Sequence, residues 1–238
     1  MKIVFFTILS LIPVITLGYL VYRKDTIKEP KVLLIGLFAS GFLAAFIVVI
    51  TNMLILKFLP KYYLMNSYSK FSMVELFIII FLEIALLEEF SKWVMVRIFG
   101  FKNKQFDQFY DIIIYSVFIA LGFATVENIF YVVPLASIKL GLLRAFIAVP
   151  AHAAFGVFMG YFFAMAKYSD NKFRYFISMI SAFLIPAFFH TIYDFCMLLG
   201  NNLYLIIFIL FISALYISAI VEINSAIKKD KDEEVEIL

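Results

Sequence analysis

The chain has 238 residues, of which 65% are hydrophobic, and its formal net charge is +3. Soluble domains are only about 45–50% apolar, so this composition excludes an ordinary water-soluble protein. The small net charge gives no indication of nucleic-acid binding. The single cysteine, Cys196, excludes an intrachain disulfide and a Cys-x-x-Cys metal or redox site.

Seven apolar stretches are each long enough to cross a bilayer, which takes about 20 residues. In chain order they cover residues 3–22, 32–57, 72–97, 111–133, 141–166, 174–199 and 203–225. Because the connecting segments are short, we predict one all-α domain over residues 1–238. It is a polytopic transmembrane bundle of about seven helices, with its motif core at 72–199.

Lys2 and the run after it also fit a signal peptide, but no small-x-small cleavage site precedes Arg23, so we expect a retained helix.

Lys and Arg in the connecting segments predict the orientation of the helices. The side that holds the C-terminus carries thirteen of them, and the opposite side carries six, with Arg144 among the six. Cytoplasmic segments carry the excess in membrane proteins, so we predict an external N-terminus and a cytoplasmic C-terminus. The acidic residues at 230–236 are expected to form a short solvated tail without a role.

Four short patterns place charged or imidazole side chains inside the predicted helices. A charge at the bilayer centre costs about 2.5–3.5 kcal/mol on insertion scales, so such groups must pair, face water or take part in chemistry. The patterns are Glu88-Glu89-x-x-Lys92, Phe123-x-x-x-Glu127-Asn128, His152-x-x-x-Gly156 and His190-x-x-x-Asp194. Each lies near the middle of an apolar window, which is compatible with one shared site. The stretch at 72–97 holds the most charges and should be the most enclosed.

Helical spacing relates the residues of the first pattern. Glu88 lies four residues before Lys92 and Glu89 lies three before it, so either glutamate can pair with the lysine. Adjacent residues diverge by about 100°, so we expect one glutamate to face the reaction centre and the other to take Lys92. The alternative is a purely structural pair of glutamates held by the lysine.

The two histidines follow prolines. His190 shares a helix face with Asp194, which can orient the imidazole, and both can ligate one metal ion. Pro186 precedes His190 by one turn and frees a backbone carbonyl, which favours a wet pocket beside the ring, and Pro150 stands just before His152. The alternative for each histidine is a satisfied structural role in the helix.

Taken together, the four patterns resemble those of the PrsW family of intramembrane proteases, a branch of the superfamily that includes the type II CAAX prenyl endopeptidases. The family motifs occur here in the same order and spacing, over about half of the chain. The resemblance implies a multi-pass endopeptidase of the bacterial plasma membrane that makes the site-1 cut in a membrane-anchored anti-sigma factor. Relatives with prenyl substrates usually have His in place of Glu127 and Asn in place of Asp194, which argues against a prenyl-protein substrate.

The predicted catalytic residues are Glu88, Glu89, Glu127, His152, His190 and Asp194. A carboxylate among apolar side chains holds a proton more tightly and can act as a general base nearer pH 7. We expect Glu88, with Glu127, to position and deprotonate the attacking water. We expect His190, held by Asp194, to donate a hydrogen bond to the developing oxyanion or to protonate the leaving amine. His152 would support these groups.

A metal-dependent alternative uses His152, His190 and Glu127 to hold Zn²⁺, with a glutamate as base. No cofactor is favoured, because the sequence lacks the His-Glu-x-x-His zinc helix and its histidines come from separate predicted helices. Convergence of ligands from different helices would still permit zinc. The sequence therefore favours the glutamate mechanism only slightly.

Other classes of protein find less support in the sequence. No Gly-x-Ser-x-Gly motif occurs, so the sequence offers no recognisable nucleophilic serine for a serine-protease mechanism. The Tyr110-Asp111 and Tyr193-Asp194 pairs are similar to those of aspartyl intramembrane proteases, but the companion Gly-x-Gly-Asp is absent. A proton-coupled transporter could use the same buried groups as a relay, although no inverted repeat is visible. A non-catalytic membrane scaffold is the third alternative.

Overall fold

The computed structural model describes residues 2–58 and 71–237, and these residues form seven helices and no strand. In chain order the helices are α1 (Lys2–Lys24), α2 (Lys31–Phe58), α3 (73–100), α4 (Asp111–Leu135), α5 (Ile138–Lys167), α6 (Lys172–Leu199) and α7 (Asn202–Ile237). The prediction of an all-α bundle of about seven helices is confirmed. Lys61 and Lys70, two of the six positive charges on the side opposite the C-terminus, lie outside the described residues.

Six of the described helices are long and apolar enough to cross a membrane, and α3 is not among them. Ionisable side chains recur along α3, and at membrane depth such groups must turn toward protein or water. Accordingly, Glu89 and Lys92 are buried, whereas Val74, Ile78 and Leu82 are exposed. α3 therefore presents a polar face to the bundle and an apolar face outward.

The most enclosed of the six candidate spans is α4, which packs against α1, α2, α3 and α5. In its membrane-crossing window 83% of the residues are buried, far more than in the N- and C-terminal helices. The expectation that the stretch at 72–97 would be the most enclosed is wrong. Enclosure depends on how many neighbours surround a helix, and α3 lies at the side of the bundle with one face uncovered.

Glycine allows α4 to meet its neighbours at backbone contact. A Cβ atom on Gly122 would overlap the carbonyl oxygen of Phe38 in α2, and one on Gly41 would overlap that of Ile119 in α4. Gly160 of α5 meets the α4 backbone in a similar way. Small residues at such crossings let membrane helices approach closely, so these three glycines set the spacing around α4.

Two helices contain π-helical turns just before predicted site residues. In α3 the turn Ile80–Ala85 precedes Glu88, and in α5 the turn Arg144–Ala148 precedes His152. A π turn accommodates an extra residue and so rotates the side chains that follow, and such turns are frequent near functional sites. The two turns thus help to determine which side chains of α3 and α5 point into the helix bundle.

Asp230, near the end of α7, anchors the start of α4. Its buried carboxylate accepts hydrogen bonds from the backbone N–H groups of Phe109, at 2.6 Å, and Tyr110, at 2.9 Å. A carboxylate at a helix N-terminus satisfies free donors and complements the helix dipole. The expectation of a solvated tail without a role is therefore wrong for Asp230, because the tertiary fold returns this part of α7 to the bundle.

Candidate active site

Glu89 and Lys92 form the buried base of the site. Oε1 of Glu89 lies 2.7 Å from Nζ of Lys92, and both side chains are almost fully buried. The Lys92 ammonium also lies 3.1 Å from Nδ1 of His152 and 4.1 Å from the centre of the Phe123 ring. A carboxylate, an imidazole and an aromatic face thus offset the cost of burying this charge.

His152 links this pair to Glu127. Its Nε2 lies 2.7 Å from Oε2 of Glu127. An ammonium can only donate, so we infer that Nδ1 of His152 accepts from Lys92 and that the ring proton resides on Nε2, which donates to Glu127. A continuous chain of polar contacts therefore runs from Glu89 to Glu127.

Arg144 forms an ion pair with the other oxygen of Glu127, without a hydrogen bond from Nη2 to it. Its Nη2 lies 3.1 Å from Oε1 of Glu127, and its Nε donates to Oδ1 of Asn128 at 2.6 Å. Asn128 in turn donates to the backbone carbonyl of Ser10 at 3.2 Å. The guanidinium also lies 4.5 Å from the centre of the Tyr131 ring. Both oxygens of Glu127 are thus engaged by cationic or imidazole groups.

His190 is the second imidazole of the site. Its Nδ1 lies 2.9 Å from Oε1 of Glu89, and its Nε2 lies 3.5 Å from Oδ2 of Asp194. A carboxylate accepts, so Nδ1–H donates to Glu89, whereas 3.5 Å is longer than a good hydrogen bond. The ring stacks on Phe155, with centroids 5.2 Å apart, and meets the His152 ring edge to face at 5.4 Å. Glu89, more than Asp194, fixes the orientation of His190.

Glu88 is held less tightly than Glu89, whose Oε1 contacts both Lys92 and His190. Oε2 of Glu88 lies 3.8 Å from Nζ of Lys92, and it has no hydrogen-bond partner among the described residues. Glu89 is completely buried, whereas the Glu88 side chain keeps 14% exposure. Glu89 therefore makes the shorter contact with the lysine, and Glu88 makes the longer one and stays partly exposed.

Two cavities meet at Glu88, Glu127 and Tyr131. One, of about 260 Å³, lies between α2 and α4, and the other, of about 320 Å³, lies beside α6. His190 and Asp194 line the second cavity. The two carboxylates can thus be reached from both sides.

The donor atoms of Glu88, Glu127 and His152 fit a divalent metal ion in kind and number. They lie within 4.8 Å of one another, and carboxylates with an imidazole suit Zn²⁺. Ligands in a tetrahedral zinc site are about 3.3 Å apart, so these side chains would close in on an ion. The predicted set of His152, His190 and Glu127 shares two residues with this group, in which Glu88 takes the place of His190.

The structure brings all six predicted site residues into one cluster, and it adds two that sequence reasoning missed. The sequence analysis assigns Arg144 to a connecting segment, although it lies within the predicted helix 141–166. That position could have indicated a role inside the bundle. Asn52 lines the cavity between α2 and α4, and it stands as a lone amide in the apolar stretch 32–57. A polar residue inside a predicted span was thus the signal in both cases.

Asp111 lies far from this cluster. Its carboxylate accepts hydrogen bonds from the backbone N–H groups of Asp107, at 3.0 Å, and Gln108, at 2.7 Å, at the start of α4. Glu127 follows sixteen residues later, which corresponds to about 24 Å of helix. Asp111 is therefore a capping residue that cannot pair with Asp194, and the geometry argues against an aspartyl protease.

An enclosed set of carboxylates and imidazoles, within a bundle of membrane-crossing helices and bordered by cavities, has the groups that a membrane-embedded hydrolytic enzyme needs. Within that class, the chain belongs to the PrsW family: residues 29–220 match the family described as "PrsW family intramembrane metalloprotease". The protein is therefore a peptidase and a multi-pass membrane protein, as the order of the motifs predicted.

Relatives with the name Protease PrsW are similar over much of the chain. The protein of Oceanobacillus iheyensis is 35% identical over 214 residues, which cover 90% of this chain and 92% of the relative. That of Clostridioides difficile is 33% identical, with 88% and 86% covered. That of Geobacillus kaustophilus is 43% identical over 118 residues, with 50% and 51% covered. No solved structure matches the chain.

Proposed function

We propose that the chain makes the site-1 cut in a single-pass membrane protein, of which an anti-sigma factor is the favoured example, by attack of a water that Glu88 and Glu127 activate. The observation that carries this proposal is that both carboxylates border the same two cavities. A polypeptide that enters either cavity brings its backbone carbonyls beside them. The family relationship supports a peptide bond as the bond that is cut and favours a peptidase over a transporter or a scaffold.

Glu88 is the better general base of the two. Its Oε2 has no hydrogen-bond partner among the described residues, so it is free to take a proton from water. Glu127 is held at both oxygens by His152 and Arg144, which suits it to position the water. Fixed geometry of this kind lowers the barrier because the reacting groups need little reorganisation.

His190 is suited to the second half of the reaction. Glu89 fixes one ring nitrogen, which leaves Nε2 facing Asp194 and the cavity beside α6. As an imidazolium, with a proton on each ring nitrogen, His190 can donate from Nε2 to the developing oxyanion or protonate the leaving amine, and it regains this proton from the one that Glu88 takes from water. Glu89 and Lys92 act through the two histidines and are positioning residues in this mechanism.

The family description names a metalloprotease, and the residues that would hold a metal ion are Glu88, Glu127 and His152. A bound divalent ion would supply Lewis-acid polarisation and a more acidic water. His152 would then have to give up the proton that it donates to Glu127. In that case His190, whose Nδ1 is engaged by Glu89, remains the proton donor.

The cleavage test uses a single-pass reporter that carries the membrane-spanning and external segments of an anti-sigma factor, co-expressed in a bacterial host without a homologous protease. We expect Glu88→Gln, Glu127→Gln and His190→Ala each to lower cleavage by about 10²-fold or more. Glu83→Gln is the matched control, because Glu83 lies on the same helix outside the cluster, and it should leave cleavage unchanged. Cleavage retained by all three site variants at equal protein levels would contradict the proposal.

Metal dependence is decided on the purified protein. The proposed glutamate mechanism predicts that protein shown to be metal-free by elemental analysis still cleaves the reporter. Loss of cleavage on chelation, with recovery on addition of Zn²⁺, would instead show a metal-dependent mechanism, for which Glu88, Glu127 and His152 are the candidate ligands. The Glu83→Gln control should respond to chelation as the unchanged protein does.

A further inference from the structure

The cavity between α2 and α4 has walls of two kinds. Glu88 and Glu127 border it on one side, and α2 contributes Val48, Val49 and Asn52 on the other. The valines offer apolar contact, and Asn52 is the polar group that α2 adds. An extended chain in this cavity would lie between the catalytic carboxylates and α2.

The carboxamide of Asn52 has an unmet hydrogen-bonding requirement. Its Oδ1 is buried and has no hydrogen-bond partner among the described residues. An unpaired polar atom away from water is costly, particularly at membrane depth, and buried polar atoms are nearly always paired. The free acceptor therefore points to a donor that arrives with a ligand.

The substrate of a membrane-embedded peptidase brings such donors. The backbone N–H groups of a spanning helix are paired within the helix, and they lose those partners when the segment unwinds to expose a carbonyl for attack. Inside the bilayer no bulk water replaces the lost acceptors. A protein acceptor near the cut would therefore stabilise the unwound segment.

We propose that the cavity between α2 and α4 binds an unwound stretch of the membrane-protein substrate, and that Oδ1 of Asn52 accepts a hydrogen bond from a substrate backbone N–H. This assignment rests on the proposed function, because it requires a polypeptide in the cavity that Glu88 and Glu127 border. Asn52 is then a substrate-positioning residue, supplied by a helix that carries none of the four motifs.

The test combines a change in the protein with a change in the substrate backbone. Synthetic peptides of the reporter's membrane-spanning segment carry an ester in place of one amide, moved along the segment, so that one N–H is removed at a time. At one position the ester should raise KM for the unchanged protein about 2- to 12-fold, the range of a single neutral hydrogen bond, with little change in kcat. Asn52→Leu should raise KM for the all-amide peptide by a similar factor and should be insensitive to the ester at that position.

Leu54→Ala is the matched control, since Leu54 is exposed on the same helix, and it should remain sensitive to the ester. Equal ester sensitivity in Asn52→Leu and the unchanged protein would overturn the assignment. So would a scan of the unchanged protein without any sensitive position, a result that does not depend on whether the variant folds. If the unchanged protein cleaves none of the peptides or reporters, the proposed function fails and this assignment fails with it.

Discussion

At the scale of single residues, the site depends on a lysine that is nearly as deeply buried as the apolar core. Lys92 is 1% exposed, and it lies within contact distance of Glu89, Glu88 and His152. A buried pair adds little stability over apolar residues of the same volume, but a buried charge without its partner is strongly destabilising. Lys92 therefore makes the integrity of the site depend on Glu89.

Replacement of Glu89 should therefore cost stability as well as activity. Glu89→Gln leaves the Lys92 ammonium without its 2.7 Å carboxylate partner, and we expect a loss of about 3–5 kcal/mol. The double variant Glu89→Gln/Lys92→Met removes the lone charge and should regain most of this loss. Thermal and chemical unfolding in detergent measures both variants. A double variant no more stable than the single one would contradict this account.

Glu29, in the connection between α1 and α2, should make stability depend on pH. Burial raises the pKa of its carboxyl, and the neighbouring Asp25 raises it further. The folded protein then binds this proton more tightly than the unfolded chain does. The stability gained from protonation is complete below the ordinary pKa of about 4.3 and is lost as pH rises through the raised value.

We therefore expect Glu29→Gln to be more stable than the unchanged protein near pH 8 and to differ little from it near pH 4. Melting temperatures in detergent across that range give the comparison. Asp170→Asn, at an exposed position between α5 and α6, is the control and should show no such trend. A difference between Glu29→Gln and the unchanged protein that is constant with pH would contradict the assignment.

At the scale of helices, stability and activity both depend on how closely α4 fits its neighbours. The α2–α4 crossing lies about one and a half turns before Glu127 along α4, so a change in helix spacing there should reach the site. The start of α4 is fixed separately, by Asp230 from the end of α7. α4 is thus held at its crossing and at its N-terminus by segments that carry no motif.

Gly122→Val should force α2 and α4 apart. Its side chain would overlap the backbone of Phe38, so we expect a loss of at least about 1–3 kcal/mol together with reduced cleavage. Gly36→Ala is the matched control, because a Cβ at Gly36 meets no atom within 4 Å. Unfolding and reporter cleavage should be measured on both. An unaffected Gly122→Val protein would show that the crossing does not control the site.

Asp230→Ala should destabilise the start of α4. Loss of the carboxylate leaves the N–H groups of Phe109 and Tyr110 without their acceptors, and removing a helix cap costs about 1 kcal/mol. Asp232→Ala, at an exposed position two residues on, is the control. Hydrogen exchange should quicken at the start of α4 in the first variant alone. Equal exchange in both variants would argue against the cap.

At the scale of the whole molecule, hydropathy and helical spacing predicted much of the fold and of the site. Apolar stretches of about 20 residues determine the number of helices, and the spacing of Glu88, Glu89 and Lys92 predicted that a glutamate pairs with the lysine, which the contacts display. What could not be predicted depends on contacts between distant parts of the chain. The pairing of His152 with Lys92 joins residues 60 apart, and the bond from Phe109 to Asp230 joins residues 121 apart.

The α2–α4 crossing also limits how the cavity beside it can widen. Gly41 locks α2 against α4 at one end of the cavity, and Asn52 lies eleven residues further along α2, which corresponds to about 16 Å of helix. Because the contact at Gly41 fixes this part of α2, the cavity can widen only if the part of α2 that carries Asn52 moves away from α4. Any widening of this cavity on the α2 side would therefore be least beside Gly41 and greatest toward Asn52.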